Sequence, residues 1–328
     1  MIFSIKRLLI TCLAVSATFG AQAALAQTTL KLAHQFAPDS LPGQSAVKFA
    51  DSVAKKTDGR ITIQVLPGGA LGDERSNLQQ LGSGSIDLAL VGDLVTSYMA
   101  RPYMLVSMPF VYDTAEHGLA VFRGEIGQEL NKFIQDNHGI AVLGWQYVGT
   151  RELTANKAIN KLSELKGLKM RLASAEILVK TWEKTGVSIV NVDFNELYLA
   201  LQTGTVAAQE NPPNFIRAQK FNEVQKYLMT TDHLPQMQGL FINAKLLEGL
   251  DEKDRKAVIE AGEEMVTWTS QTAADIQKSD TEWLTKDGGM ELVKIDMSGI
   301  QDVIKDVPRE MLGEDGVKLY ERIRQTKH

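Results

Sequence analysis

The chain has one cysteine in 328 residues, Cys12, and it lies in an apolar N-terminal stretch. Lys6 and Arg7 precede the run LLITCLAVSATFG, and Ala24-Leu25-Ala26 forms a small-x-small site before Gln27. This pattern predicts a secretory leader, residues 1–26, cleaved after Ala26. The 302 residues left after those 26 contain no cysteine, which excludes disulfides, thiolate catalysis and zinc–thiolate sites. A core without covalent staples must carry the stability, and a chain of this length is ample for two lobes. Past the leader, no apolar run approaches the roughly 20 residues of a membrane span. No basic tract is present either. Without Lys6 and Arg7, 33 basic side chains face 40 acidic ones, a formal charge of −7. Nucleic acid and anionic membrane surfaces are therefore poor partners.

Catalytic signatures are also missing. His34, His117, His138, His233 and His328 are scattered, with no HExxH and no pair at metal-ligand spacing. There is no GxSxG elbow and no P-loop. GSGSID (82–87) is a fragment of a dinucleotide fingerprint that precedes a strand, so it reads as a helix stop. Asp73 and Glu74 read as acids at a helix start, where they complement the helix dipole. The expectation is a binding protein with no cofactor and no metal, and not an enzyme.

Alternating periods of 2 and 3.6 run along the chain. TTLKLAH (28–34), RITIQVLP (60–67) and SIDLALVG (85–92) read as strands separated by helices, one of them carrying Ala46, Phe49 and Val53 at helical spacing. Such a βαβαβ opening predicts a mainly parallel sheet with helices on both faces. IAVLGWQYVG (140–149) follows a helical stretch near 124–137, and a second α/β cycle then runs through GLKMRLAS, VSIVNV and TVAAQENP. QMQGLFIN (236–243) reads as a further strand, and Asp251 to about Lys286 as one long helix interrupted only by Gly262. The crossing near 145–150 lacks a Gly/Ser linker, which favours lobes joined by ordered strands.

Within GLKMRLAS, Leu168, Met170 and Leu172 alternate with Lys169 and Arg171. Alone, that arginine reads as a solvated surface charge. An anion-binding role would need local positive charge in this acidic chain, and the guanidinium's planar fork suits a carboxylate.

The segments GTRELTANKAINKLSELKGLKMRLAS and DFNELYLALQTGTVAAQENPPNFIRAQKFNEVQKYLMTTDH resemble the substrate-binding proteins of tripartite ATP-independent periplasmic (TRAP) transporters. LKLAHQFAPDS, LPGGALGDER and GSGSIDLALVG are similar to the same family. The resemblance implies an α/β fold of two lobes with a long helix across both. It divides the chain into lobe I, 27–148 plus 237–276, and lobe II, 149–236 plus 277–328. It further implies a periplasmic monomer, without ATP use, that delivers a small organic acid to a membrane permease. In this family the arginine of the K-x-R strand forms a bidentate salt bridge to the substrate carboxylate, which places that role on Arg171. Arg151 matches a second binding arginine, Asn211 an amide supporting the carboxylate, and Phe194 a ring stacked on the ligand.

Glu74 and Gln35 fall where sialic-acid-binding members carry Asp and Asn, and Gly92 falls where they carry Glu. The loss at Gly92 argues against sialic acid, and LGDER differs from the acidic segment of C4-dicarboxylate binders. A polyhydroxylated monocarboxylate, a uronate or aldonate, fits Glu74, Gln35 and Asp73 best. Sialic acid, a small dicarboxylate, a sensor role and a secreted enzyme on the same scaffold stand as alternatives.

Overall fold

The computed structural model describes residues 27–328; the leader expected at 1–26 lies outside them. Nine strands form one sheet: β1 (Thr28–Ala33), β2 (Ile61–Leu66), β3 (Leu88–Gly92), β4 (Ile140–Ala155), β5 (Lys169–Leu172), β6 (Ser188–Asn191), β7 (Ala208–Asn211), β8 (Tyr227–Asn243) and β9 (Glu291–Val293). Their order is β2-β1-β3-β8-β4-β7-β5-β6, with β9 beside β8. The sheet is mixed, not mainly parallel. Pairs β1–β2, β1–β3, β5–β6 and β5–β7 are parallel, while β3–β8, β8–β4 and β4–β7 are antiparallel. The βαβ cycles make the two parallel wings, as their spacing predicts. The antiparallel centre comes from two strands far apart in sequence.

Those two strands are longer than their patterns suggest. β8 has 17 residues and begins at Tyr227, well before the QMQGLFIN segment. Both strands are buried over much of their length, so the alternation that marks a half-exposed strand is absent. Their register shifts at Val142/Gly144, Tyr147/Thr150 and Arg151/Leu153, and such bulges bend a strand and raise its twist.

Helix Leu41–Lys56 starts where Ser40 accepts a hydrogen bond from the Gly43 N–H, and it buries Ala46, Phe49 and Val53 against β1–β3. The stretch near 124–137 is the helix Glu125–His138, as expected, and a further helix, Ala115–Arg123, precedes it across Gly124. Glu252–Lys286 is a single 35-residue helix capped by Asp251, whose carboxylate accepts from the Asp254 N–H at 2.9 Å. Gly262 is the point of close approach. A Cβ there would lie 3.2 Å from Leu143 Cβ on β4, so the missing side chain lets the helix settle on the crossing strands. Further along, Gln277 clamps the helix to the second bulge, accepting from Thr150 N at 3.0 Å and donating to Thr150 O at 3.1 Å. No helix of the described residues is long and apolar enough to cross a membrane.

Gly149 sits in that bulge at φ 128°, a backbone conformation that L side chains rarely adopt. A Cβ there would meet Gln277 Oε1 at 2.9 Å and Pro212 Cβ at 3.0 Å. Gly149→Ala is expected to destabilise the protein by about 1–3 kcal/mol, more than Gly204→Ala, because a Cβ at Gly204 meets open space. Urea unfolding of both variants measures this, and equal midpoints would refute the crowding at the bulge.

Candidate functional site

A cavity of about 230 Å³ lies where the two wings of the sheet face each other. One wall comes from Gln35, from the start of helix Glu74–Ser83 and from Leu94, Val95 and Tyr98. The facing wall is Ala173–Ala175, after β5, and Val192–Phe194, after β6. Both walls follow the C-terminal ends of parallel strands, the usual ligand position in open α/β sheets. Of the expected binding residues, Gln35, Glu74 and Phe194 line this cavity, whereas Arg171, Arg151 and Asn211 are not among its lining residues.

Arg171 is not a solvated charge. It is 3 % exposed, while its neighbour Lys169 is exposed. Its Nε donates to Val192 O at 2.8 Å, which fixes the guanidinium against the cavity wall. Among the described residues, no carboxylate forms a salt bridge with it. Burial lowers its pKa to about 10, and the fields of Glu210 and Arg151 partly cancel around it. At neutral pH it therefore stays a buried cation with no salt-bridged carboxylate among the described residues.

Arg151 is equally buried but fully occupied. Its Nε and Nη2 hold the Glu210 carboxylate, Nη2 also donates to Glu210 O at 2.7 Å, and Nη1 donates to Gln236 Oε1. Asn211 Oδ1 accepts from Arg151 Nη2 at 3.3 Å, and Asn211 Nδ2 donates to Gln209 Oε1, so the amide braces this network. Burial would raise the Glu210 pKa, but Arg151 and His233 outweigh it and pull the carboxyl down to about 2. Burial lowers the pKa of His233, which keeps its ring neutral at pH 7. The ring's Nε2 proton then points to Glu210 at 2.9 Å, and Nδ1 accepts from the Thr231 hydroxyl at 2.8 Å.

Glu210, His233 and Gln236 were not expected from the sequence. Glu210 pairs with Leu153 across β4–β7, two positions from Arg151, and that register is the only signal that joins them. Across the cavity, Asp73 caps the helix through Ser76 N at 2.8 Å, and Glu74 Oε1 accepts from Gly92 N at 2.7 Å. Burial pushes the Glu74 carboxyl up to about 7, against the pull of the Gly92 N–H. Phe194 packs edge-on against Phe36, Phe215 and Phe221 and is 9 % exposed, so it is core and cavity wall together.

Residues 32–313 match the family described as bacterial extracellular solute-binding protein, family 7. The chain belongs to this family of TRAP solute-binding proteins. It is 30 % identical over 307 residues to a solute-binding protein of Roseobacter denitrificans, covering 93 % of each chain. Among solved structures, a TRAP solute-binding protein from Bordetella, with density assigned as pantoate, matches at TM-score 0.87 and 29 % identity, covering 92 % of this chain and 100 % of that one. The Roseobacter denitrificans protein with bound L-galactonate matches at TM-score 0.84 and 28 % identity, covering 90 % and 98 %. The two-lobed α/β fold is the one expected, and the family is periplasmic and made of transport proteins.

Removing Glu210 leaves Arg151 buried without its countercharge. Glu210→Ala should therefore lose about 3–5 kcal/mol of stability at pH 7. The Glu210 pKa is depressed, so its contribution is present above the ordinary value near 4.5 and is lost as pH falls toward 2. The variant should lack that acid limb. Denaturant unfolding at pH 7 and pH 3 checks both, and an unchanged difference between wild type and variant at the two pH values would contradict the assignment.

Proposed function

We propose that this protein captures a hydroxylated monocarboxylate of the sugar-acid class, an aldonate or uronate, and delivers it to an ion-gradient-driven TRAP permease. One observation carries the reading: Arg171 is a buried, oriented guanidinium beside the cavity with no carboxylate partner of its own. A substrate carboxylate supplies that partner, and the planar fork binds its two oxygens at once. Glu74 and Gln35 offer acceptors and donors to hydroxyls from the opposite wall, and Phe194 gives the carbon skeleton an apolar face. Asn211 acts through Arg151, and Arg151 through the field and shape of the site, because its donors are committed to Glu210 and Gln236. The relatives with L-galactonate and with density assigned as pantoate support the class, since both ligands are hydroxy acids. The protein works as a monomer after secretion and loss of residues 1–26, and it binds its ligand without turning it over.

Matched pairs, a uronate against its neutral parent sugar, should differ by orders of magnitude in calorimetric affinity. Arg171→Ala should weaken acid binding by about 30-fold to several thousand-fold, from the roughly 2–5 kcal/mol cost of breaking a buried charge pair. Arg171→Lys should recover only part of it. Arg151→Ala should appear first as lost stability, since it strands the Glu210 carboxylate. A well-folded Arg171→Ala that binds within threefold of wild type removes the central premise.

Closure of lobe I (27–148 plus 237–276) on lobe II (149–236 plus 277–328) excludes water from the cavity. The bulges near Trp145–Gly149 and the positive φ of Asp232 on β8 are the positions that absorb the bend. Small-angle scattering should give a smaller radius of gyration with saturating acid than without; an unchanged radius counts against a hinge.

A further inference from the structure

Gln236 is half used by the Arg151 network. It is 4 % exposed on β8, where Val148 and Gly149 of β4 stand opposite it between the Tyr147–Met237 and Thr150–Pro235 pairs. A bulge of this kind re-aims a side chain. Arg151 Nη1 can only donate, so the amide end that it meets is the oxygen, and Nε2 with its two protons diverges from the arginine. Among the described residues, Nε2 has no hydrogen-bond partner.

The free nitrogen ends beside Gly92. A Cβ placed on Gly92 would lie 2.9 Å from Gln236 Nε2, and 3.3 and 3.7 Å from the two Glu74 carboxylate oxygens. The backbone does not ask for glycine here, since φ is −70° and ψ 158°, extended values open to any residue. What the missing side chain leaves is the space in which an amide donor and a carboxylate acceptor converge. Glu74 lines the cavity, with Oε1 taking the Gly92 N–H and Oε2 without a partner among the described residues. A buried donor left unmatched costs free energy, and a group that pairs it recovers that cost. The complement of one free donor and one free acceptor is an alcohol, which accepts at oxygen and donates its proton.

We propose that Gln236 and Glu74 clamp one hydroxyl of the ligand chain, Nε2 donating to its oxygen and Glu74 Oε2 accepting its proton, so that Gln236 is a specificity-determining residue. This rests on the reading of the ligand as a hydroxylated monocarboxylate held by Arg171. Arg151 orients the clamp by holding the amide oxygen, and Gly92 keeps it open.

Titration calorimetry of the mature protein against aldonates and uronates of galacto, gluco and manno configuration selects the tightest binder. The monodeoxy analogues of that acid, one for each hydroxyl, are then compared with it on wild type and Gln236→Glu. This substitution keeps an acceptor for Arg151 but replaces the donor with a second carboxylate oxygen, and one hydroxyl proton cannot satisfy two carboxylates. The readout is the ratio of parent to deoxy affinity, in which a uniform loss from the added charge, or from a merely bracing role, cancels. In wild type at least one deoxy analogue should bind about tenfold or more weakly than the parent. Gln236→Glu should bring the ratio at one position below about threefold and leave the others. If circular dichroism shows that variant unfolded, Gly92→Ala decides by the same ratio, because its Cβ fills the space between the two polar ends. Wild-type ratios all below about threefold, or ratios that all persist in the folded variant, overturn the proposal and leave the Arg171 reading intact. Failure of every acid to bind wild type overturns both.

Discussion

The pairing of β4 with β8 is the constraint on which the rest of the molecule depends. It runs from Ile140 opposite Asn243 to Ala155 opposite Tyr227, through the middle of the sheet. One parallel wing attaches through β3 on β8, the other through β7 on β4. Every cavity residue takes its position from a wing, so the two walls are held in relation by this one antiparallel pair. The bulges in the pair show why it can also bend. A strand that shifts register three times has local breaks in its ladder, and the long helix covers them through Gly262 and Gln277.

Charge is distributed with the same division of labour. Arg151 rises from the crossing strand and is neutralised there by Glu210, with His233, Gln236 and Asn211 completing its shell. Arg171 rises from the wing and is left without a carboxylate. A buried pair contributes little net stability but is costly to break, so the first arginine fixes geometry. In the proposed function, the unpaired second one is the source of anion affinity. In a chain of net negative charge, that local imbalance is what the proposed function uses to direct an acid to the cavity.

Much of this was legible in the order of residues. The βαβ cycles, the helix-stop reading of GSGSID, the placing of Asp73 at a helix start and the long helix from Asp251 all follow from local pattern, and they appear in the structure. Local pattern failed where burial is complete. β8 before Pro235 and β4 beyond Gly149 are buried among side chains of every kind, so no period marked them as strand. The mainly parallel sheet was likewise an inference from adjacent segments, and β4 with β8 is a long-range pair that adjacency cannot reveal.

The site divides in the same way. The residues expected to recognise an acid, and the family motifs that carry them, stand in the sequence at Gln35, Glu74, Arg151, Arg171, Phe194 and Asn211. The sequence by itself determined that an α/β protein of this family, without cysteine beyond residue 26, would hold them. Only the tertiary structure decided which arginine is spent. Arg151 and Glu210 are 59 positions apart and meet because β4 and β7 lie side by side, whereas Val192 O takes one donor of Arg171 and leaves it without a salt-bridged carboxylate among the described residues. Charge pairing depends on distances of a few ångströms between segments remote in the chain, and those distances are set by strand register.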